Sequence, residues 1–280
     1  MSADPARVPA PASETGVLPD YLLIGAQKCG TTFVQGMLKQ HPAIAARQVE
    51  VHYFDRNYDR GLAWYEKHFP SAETRERILR EQGEFATGER SPSYLSNPVV
   101  PERVAAALPG VRLLVVLRDP VARALSHYHH NRQLGIEPLS FEDAVACELE
   151  QRAGRHVDGE LRRRYLGRGL YAGQLRRWLR HFDREQMHVS VSEQLFADPV
   201  GVIREIQEFI GVTPVVPDDI GPRNQMSYEP MSETLAGQLD DFFAEGAARL
   251  AKILPDVPGR WGRKGPGPEA QAGGPAAAAR

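Results

Sequence analysis

The residues best suited to chemistry lie in one short stretch, Gly25-Ala26-Gln27-Lys28-Cys29-Gly30-Thr31-Thr32. Glycine at each end permits a tight turn that brings backbone N–H groups against an anion. Thr31 opens a helical pattern, and a helix N-terminus adds unpaired donors and about half a positive charge. Lys28, Thr31 and Thr32 supply an ammonium and two hydroxyls to the same ligand. A solvated surface turn has a similar composition; the strand–loop–helix setting is what favours the anion site.

A nucleotide triphosphatase or kinase loop differs from it residue by residue. Such a loop places lysine directly after its second glycine, followed by a Ser or Thr for magnesium. Here Thr31 takes the lysine position and Lys28 lies inside the loop. No aspartate directly follows the strongest apolar strand: Leu117 leads into Arg118, and Asp119-Pro120 suits a helix N-cap and first turn. These features favour a donor activated by lysine over one activated by Mg²⁺, and no metal site is expected. Arg118, beyond the end of that strand, suits bidentate grip of a phosphate. Ser126 follows two helical turns on, roughly 12 Å along the axis. Two anion sites on one sheet edge would match a nucleotide with phosphates at both ends of its ribose. Taken singly, Arg118 reads better as a surface ion pair and Ser126 as a solvent-facing residue.

The elements that must hold these residues are legible as an alternation of strand and helix, which predicts an α/β fold with a mainly parallel sheet. Tyr21 to Ile24 reads as a buried first strand and Thr31 to about His41 as a helix stopped by Pro42. Ile44 to Ala46 is strand-like. Val111 to Leu117 is a continuous apolar run of the kind buried on both faces. Met187 to Val191 is a further strand. Amphipathic helices are expected near 173–181, 200–210 and 232–253. Residues 1–17 and 262–280 read as disordered tails around one domain, 18–261.

Composition excludes several classes. The 280 residues suit one α/β domain, and the net charge of −2 carries no whole-protein basic field for nucleic acid. Two cysteines, Cys29 and Cys147, make no disulfide framework and fit a reducing compartment, hence a cytoplasmic location. No apolar run spans a membrane, and the N-terminus has no signal-peptide core. Oligomeric state is not encoded legibly.

The loop GAQKCGTT, the segment LLVVLRDPVARALSHY and the later VSVSEQLFADP together resemble the sulfotransferases that use 3′-phosphoadenosine 5′-phosphosulfate (PAPS). Glu50-Val51-His52-Tyr53-Phe54-Asp55, Gly61-Leu62-Ala63-Trp64-Tyr65, Ser91-Pro92-Ser93-Tyr94 and Val100-Pro101-Glu102-Arg103-Val104 are similar to the glycan branch, above all the heparan sulfate glucosamine 3-O-sulfotransferases. The resemblance covers roughly Tyr21 to Trp261. It implies a P-loop-like three-layer fold and transfer of a sulfuryl group to a hydroxyl or amine of a glycan or secondary metabolite, without a metal. It implies that Lys28, Cys29, Gly30, Thr31 and Thr32 hold the 5′-phosphosulfate and that Arg118 and Ser126 hold the 3′-phosphate. It makes Glu50 the general base in an in-line displacement, with His52 beside it. Arg90 stands where the glycan enzymes have a lysine near the transferring group. The segment 222–228 lacks the cysteine of their disulfide-closed loop, and Arg223 is its candidate nucleotide contact. A small-molecule kinase and a non-catalytic nucleotide-binding protein are the competing classes.

Several residues have plainer readings. Glu50 reads as a loop carboxylate paired with Arg47 or Arg56, or as a base whose pKa is raised by the apolar Val51, Tyr53 and Phe54. His127, His129 and His130 read as a polar helix face. Trp64 and Tyr65 read as core or as an acceptor-cleft wall. Lys28 would lower the pKa of Cys29, whose side chain is expected to pack the loop.

Overall fold

The computed structural model describes residues 16–47, 49–154, 164–220 and 231–255. Five strands form one sheet: β1 Tyr21–Gly25, β2 Ile44–Ala46, β3 Ala86–Arg90, β4 Arg112–Leu117 and β5 Met187–Val191. Their order is β2-β3-β1-β4-β5 and every pairing is parallel. The apolar β1 and β4 occupy the centre, as strands covered on both faces must. Helices flank the sheet: α1 Thr31–Leu38, α2 Tyr53–Arg56, α3 Leu62–Glu66, α4 Ala72–Gln82, α5 Val100–Ala107, α6 Pro120–Gln133, α7 Phe141–Arg152, α8 Tyr171–Trp178, α9 Ser192–Ala197, α10 Pro199–Ile210 and α11 Glu233–Ala251. The chain runs from β1 toward β2 and β3 on one side and reaches β4 and β5 on the other. The carboxyl ends of β1 and β4 therefore flank the switch point where such sheets bind ligands.

The expected strands are present within a residue or so, and the first helix ends at Leu38 rather than near His41. Beyond it, the His41 ring takes over local capping, accepting from the Ala43 N–H at 3.1 Å and meeting the Thr213 carbonyl at 2.8 Å. Asp119 does cap α6: its Oδ1 accepts from the Ala122 N–H at 2.7 Å, ahead of Pro120 in the first turn. Strand β3 has no sequence-level counterpart. Its residues Ala-Thr-Gly-Glu-Arg are not an apolar run, yet it pairs on both sides. Gly88 is required there, since a Cβ would lie 2.5 Å from the Tyr21 carbonyl oxygen.

The expected N-terminal tail is too long by two residues. Gly16 bridges to Ser71, and the Val17 N–H donates to the Pro70 carbonyl at 2.8 Å. The remainder of both tails, and the segment 222–228 with Arg223, lie outside the described residues. The main core packs around the sheet. A second cluster, including Tyr128, Phe141, Tyr165, Leu239 and Phe243, joins α6, α7 and α11. Tyr65 is fully buried in the main core, with Trp64 packed against it, so the core reading of this pair is correct.

Candidate active site

The loop after β1 is shaped by two left-handed residues, Lys28 at φ 69° and Gly30 at φ 96°. The Ala26 N–H is tied to the Val116 carbonyl at 2.8 Å, which holds the loop over β4. Gly30 is the N-cap of α1 and contributes no side-chain cap. The first N–H groups of α1 thus face the cleft with no side chain in their place, the arrangement that suits an anion. That cleft, about 500 Å³, is lined by Gln27, Lys28, Gly30, Thr31 and Thr32 from the loop, with Glu50, Arg90, Arg118, Ser126 and His130 around them. Phe33 and Phe196, with ring centroids 5.5 Å apart, give it one apolar wall.

The cationic side is desolvated. Burial, then the nearby Arg118 charge, pulls the Lys28 pKa below its usual value. Arg118 donates to the Lys28 carbonyl at 3.3 Å, and its own carbonyl accepts from the Tyr171 hydroxyl at 2.9 Å. Crowded cations of this kind favour a bound anion. Burial and Lys28 also lower the His130 pKa, which keeps that ring neutral at the cleft.

Cys29 is oriented away from this surface. It is fully buried, 3.8 Å from the Tyr171 hydroxyl, with its carbonyl held by Ser192 at 2.9 Å. Burial pushes the thiol pKa up to about 12, so the expected lowering by Lys28 is wrong and the loop-packing role is right.

Opposite the loop, Glu50 is gripped from two directions. Its Oε1 lies 2.8 Å from Arg90 Nη1 and its Oε2 lies 2.8 Å from His52 Nε2. The same Arg90 nitrogen donates to Thr32 Oγ1 at 3.0 Å, linking the carboxylate to the loop after β1. His52 Nδ1 lies 3.2 Å from both oxygens of Asp55, and the Ser93 hydroxyl donates to Asp55 Oδ2 at 2.5 Å. His52 is held at φ 53°; with Lys28 it is one of two non-glycine residues in the left-handed region among the described residues. Such backbone is costly and tends to collect at functional positions.

This network corrects two expectations. Glu50 is paired with Arg90 and His52 rather than with Arg47, whose guanidinium donates to the His68 carbonyl at 2.7 Å. Its pKa is lowered, not raised. Burial works upward, but the hydrogen bond from His52 and the Arg90 charge outweigh it. Burial likewise opposes charge on His52, but its bonds to Asp55 and Glu50 win and lift its pKa to about 9. A third correction concerns the histidines of α6. His127 is 3% exposed and packs edge-on to Tyr165 at 4.9 Å, so it belongs to the core rather than to a polar face.

A family model described as a sulfotransferase domain matches residues 18–241. The chain belongs to the sulfotransferase family. Over 201 residues it is 36% identical to heparan sulfate glucosamine 3-O-sulfotransferase 3B1 of Mus musculus, covering 72% of this chain and 48% of that protein. The chain therefore spans about half the length of these curated relatives. A solved sulfotransferase from Alicyclobacillus acidocaldarius superposes with TM-score 0.69 at 33% identity, covering 88% of this chain and all of that one. The membrane-associated sulfotransferase kil1 of Dictyostelium discoideum is 25% identical, covering 85% of this chain and 65% of that protein. Among the described residues of this sulfotransferase domain no helix is long and apolar enough to cross a membrane.

Sequence reasoning assigned no role to Glu89, the residue beneath this site. Fully buried, its carboxylate accepts from Tyr65 at 2.9 Å, Tyr94 at 3.0 Å, Ser91 at 2.8 Å and the Val51 N–H at 3.2 Å. Ser91 Oγ in turn accepts from the His52 N–H at 3.1 Å. Glu89 thereby fastens the Glu50–His52 segment to the end of β3, which carries Arg90. Asp55 and Ser93 fall in quoted motifs but had no role assigned. The alternation of Glu50, His52 and Asp55, two and three residues apart, is the signal that would have found Asp55.

Proposed function

We propose that this chain transfers the sulfuryl group of PAPS to a hydroxyl of a glycan or of a smaller metabolite, an amine being the chemical alternative. The observation that carries the reading is the shared cleft: Arg90 touches both Glu50 and Thr32, so a carboxylate and the phosphate loop address one position. In the proposed reaction the acceptor oxygen bonds to sulfur as the S–O bond to the phosphate breaks. The acceptor proton passes to Glu50, and adenosine 3′,5′-bisphosphate leaves. Lys28 and the α1 N–H groups would stabilise charge developing on the departing phosphate. Arg118 and Ser126 are suited to the 3′-phosphate, and Arg223 is retained as a proposed contact. The ion pairing of Glu50 fits a base already ionised at neutral pH, with Arg90 and His52 orienting it. Arg90 in place of a lysine adds a planar fork able to hold Glu50 and an incoming sulfuryl oxygen together.

The relatives' names make a glucosamine-containing glycan one acceptor to try. The charge of −2 argues against a long, heavily sulfated chain. A cytoplasmic location is part of the proposal, supported by two free cysteines. Binding of adenosine 3′,5′-bisphosphate in EDTA, followed by calorimetry, tests the donor assignment. Tight binding without metal is expected. Binding of Mg·ATP in preference would return the kinase reading.

A further inference from the structure

A second cavity, about 400 Å³, lies beside the donor cleft, between α7, α8 and the turn Gly167–Gly169. Four guanidinium groups line it: Arg152, Arg164, Arg168 and Arg177. Among the described residues its one lining carboxylate, Glu148, is already engaged by the Leu166 and Gly167 N–H groups at 2.8 and 2.7 Å. Among the described residues none of the four arginines has a salt-bridge partner within 4.0 Å. The Nε atoms of Arg168 and Arg177 are buried and have no hydrogen-bond partner among the described residues. Behind them Arg123, 0% exposed, donates to the Tyr165 carbonyl but leaves Nε and Nη1 unsatisfied. Clustered, desolvated cations are costly unless an anion compensates them. Consistent with this, burial and then the charges of Arg123 and Arg164 pull the Arg168 pKa down to about 10.

The cavity connects to both halves of the active site. Arg168 donates to the Gln27 side chain, which also lines the donor cleft. Arg177 donates to the Ser96 carbonyl at 3.4 Å, and Ser96 donates to the carbonyl of Ser93, the residue that holds Asp55.

We infer that the arginine-lined cavity is an acceptor subsite for one anionic substituent, a carboxylate or a sulfate, carried by the molecule whose hydroxyl is presented to Glu50. This rests on the sulfotransferase reading above. A cavity of about 400 Å³ is local rather than a long polyanionic track, which reconciles a local basic site with an acidic chain.

The test uses three sugars of one scaffold: p-nitrophenyl β-D-glucoside, the glucuronide and the glucoside 6-sulfate. Each is titrated into protein saturated with adenosine 3′,5′-bisphosphate, for wild type and for Arg164→Gln/Arg177→Gln, neither of which lines the donor cleft. In wild type the glucuronide or the 6-sulfate should bind at least about tenfold tighter than the glucoside, since a charge-assisted bond contributes about 1.5–3 kcal/mol. Which of the two binds tighter identifies the anion. The double variant should lose that preference while melting normally and binding the bisphosphate as wild type does. Equal binding of all three sugars, no binding of either anion, or a preference that survives in the double variant would overturn the inference. Failure of wild type to bind the bisphosphate would instead refute the donor assignment.

Discussion

The two sides of the donor cleft are built by different means. The loop after β1 is contiguous, and what it offers an anion is largely backbone: a glycine N-cap and helix N–H groups, with one lysine. The opposite side is made of side chains from three segments, Glu50–His52, Asp55 and Arg90–Ser93, wired together by contacts of 2.5–3.2 Å. Each side holds one of the two left-handed non-glycine residues, Lys28 and His52. A backbone-built site tolerates side-chain change except at its charge; a side-chain-built site fails when any partner is removed.

The largest loss is expected from Glu50→Gln, which keeps the shape and removes the proposed base. Its kcat should fall by about 10²–10⁴, the usual contribution of a positioned general base, with affinity for adenosine 3′,5′-bisphosphate little changed. If kcat survives, the base lies elsewhere, and His52, protonated up to about pH 9, does not take its place. Lys28→Ala should lower kcat by about 10²–10³ under saturating donor, the effect of losing one donor at a developing anion. A variant retaining more than about a tenth of the wild-type rate would remove Lys28 from the chemistry. Arg118→Ala should weaken the 3′,5′-bisphosphate by about 10–10²-fold, and adenosine 5′-phosphate much less. Equal losses by calorimetry would move Arg118 away from the 3′-phosphate.

The smallest effect is in pH dependence. The His52 pKa is raised above its ordinary 6.5 to about 9, so its ion pairs are intact below 6.5 and are lost as pH rises through about 9. The Glu50 pKa is lowered, so the base form persists through neutral pH and is lost only as pH falls below the usual carboxylate range. A profile of kcat/KM should show its alkaline limb near pH 9, and His52→Asn should abolish or displace that limb. A limb that stays in place in the variant would assign it to another group.

The same contrast governs what the sequence disclosed. Strand, loop and helix around Lys28 are adjacent in the chain, so glycine spacing and apolar runs sufficed to find them. Strand β3 escaped because Glu89 breaks its apolar pattern. That carboxylate is tolerable only because Tyr65 and Tyr94, 24 and 5 residues away, satisfy it. The sign of the Glu50 shift was misread for a related reason. Val51, Tyr53 and Phe54 next to it in sequence predict drying, whereas Arg90, 40 positions later, supplies the opposing charge. His127 was misplaced because helical spacing alone does not reveal which face of α6 the second core cluster covers.

The central claim is that both sides act on one transferring group, and a double-mutant cycle addresses it directly. Groups that serve a single transition state lose little more together than the worse of them loses alone. Single-turnover rates of transfer from PAPS should therefore be measured for Lys28→Ala, Glu50→Gln and the combination, at saturating donor and acceptor. The double variant is expected to be within about tenfold of the slower single variant. Losses that multiply fully would contradict the account, because they would mean that Lys28 and Glu50 act independently.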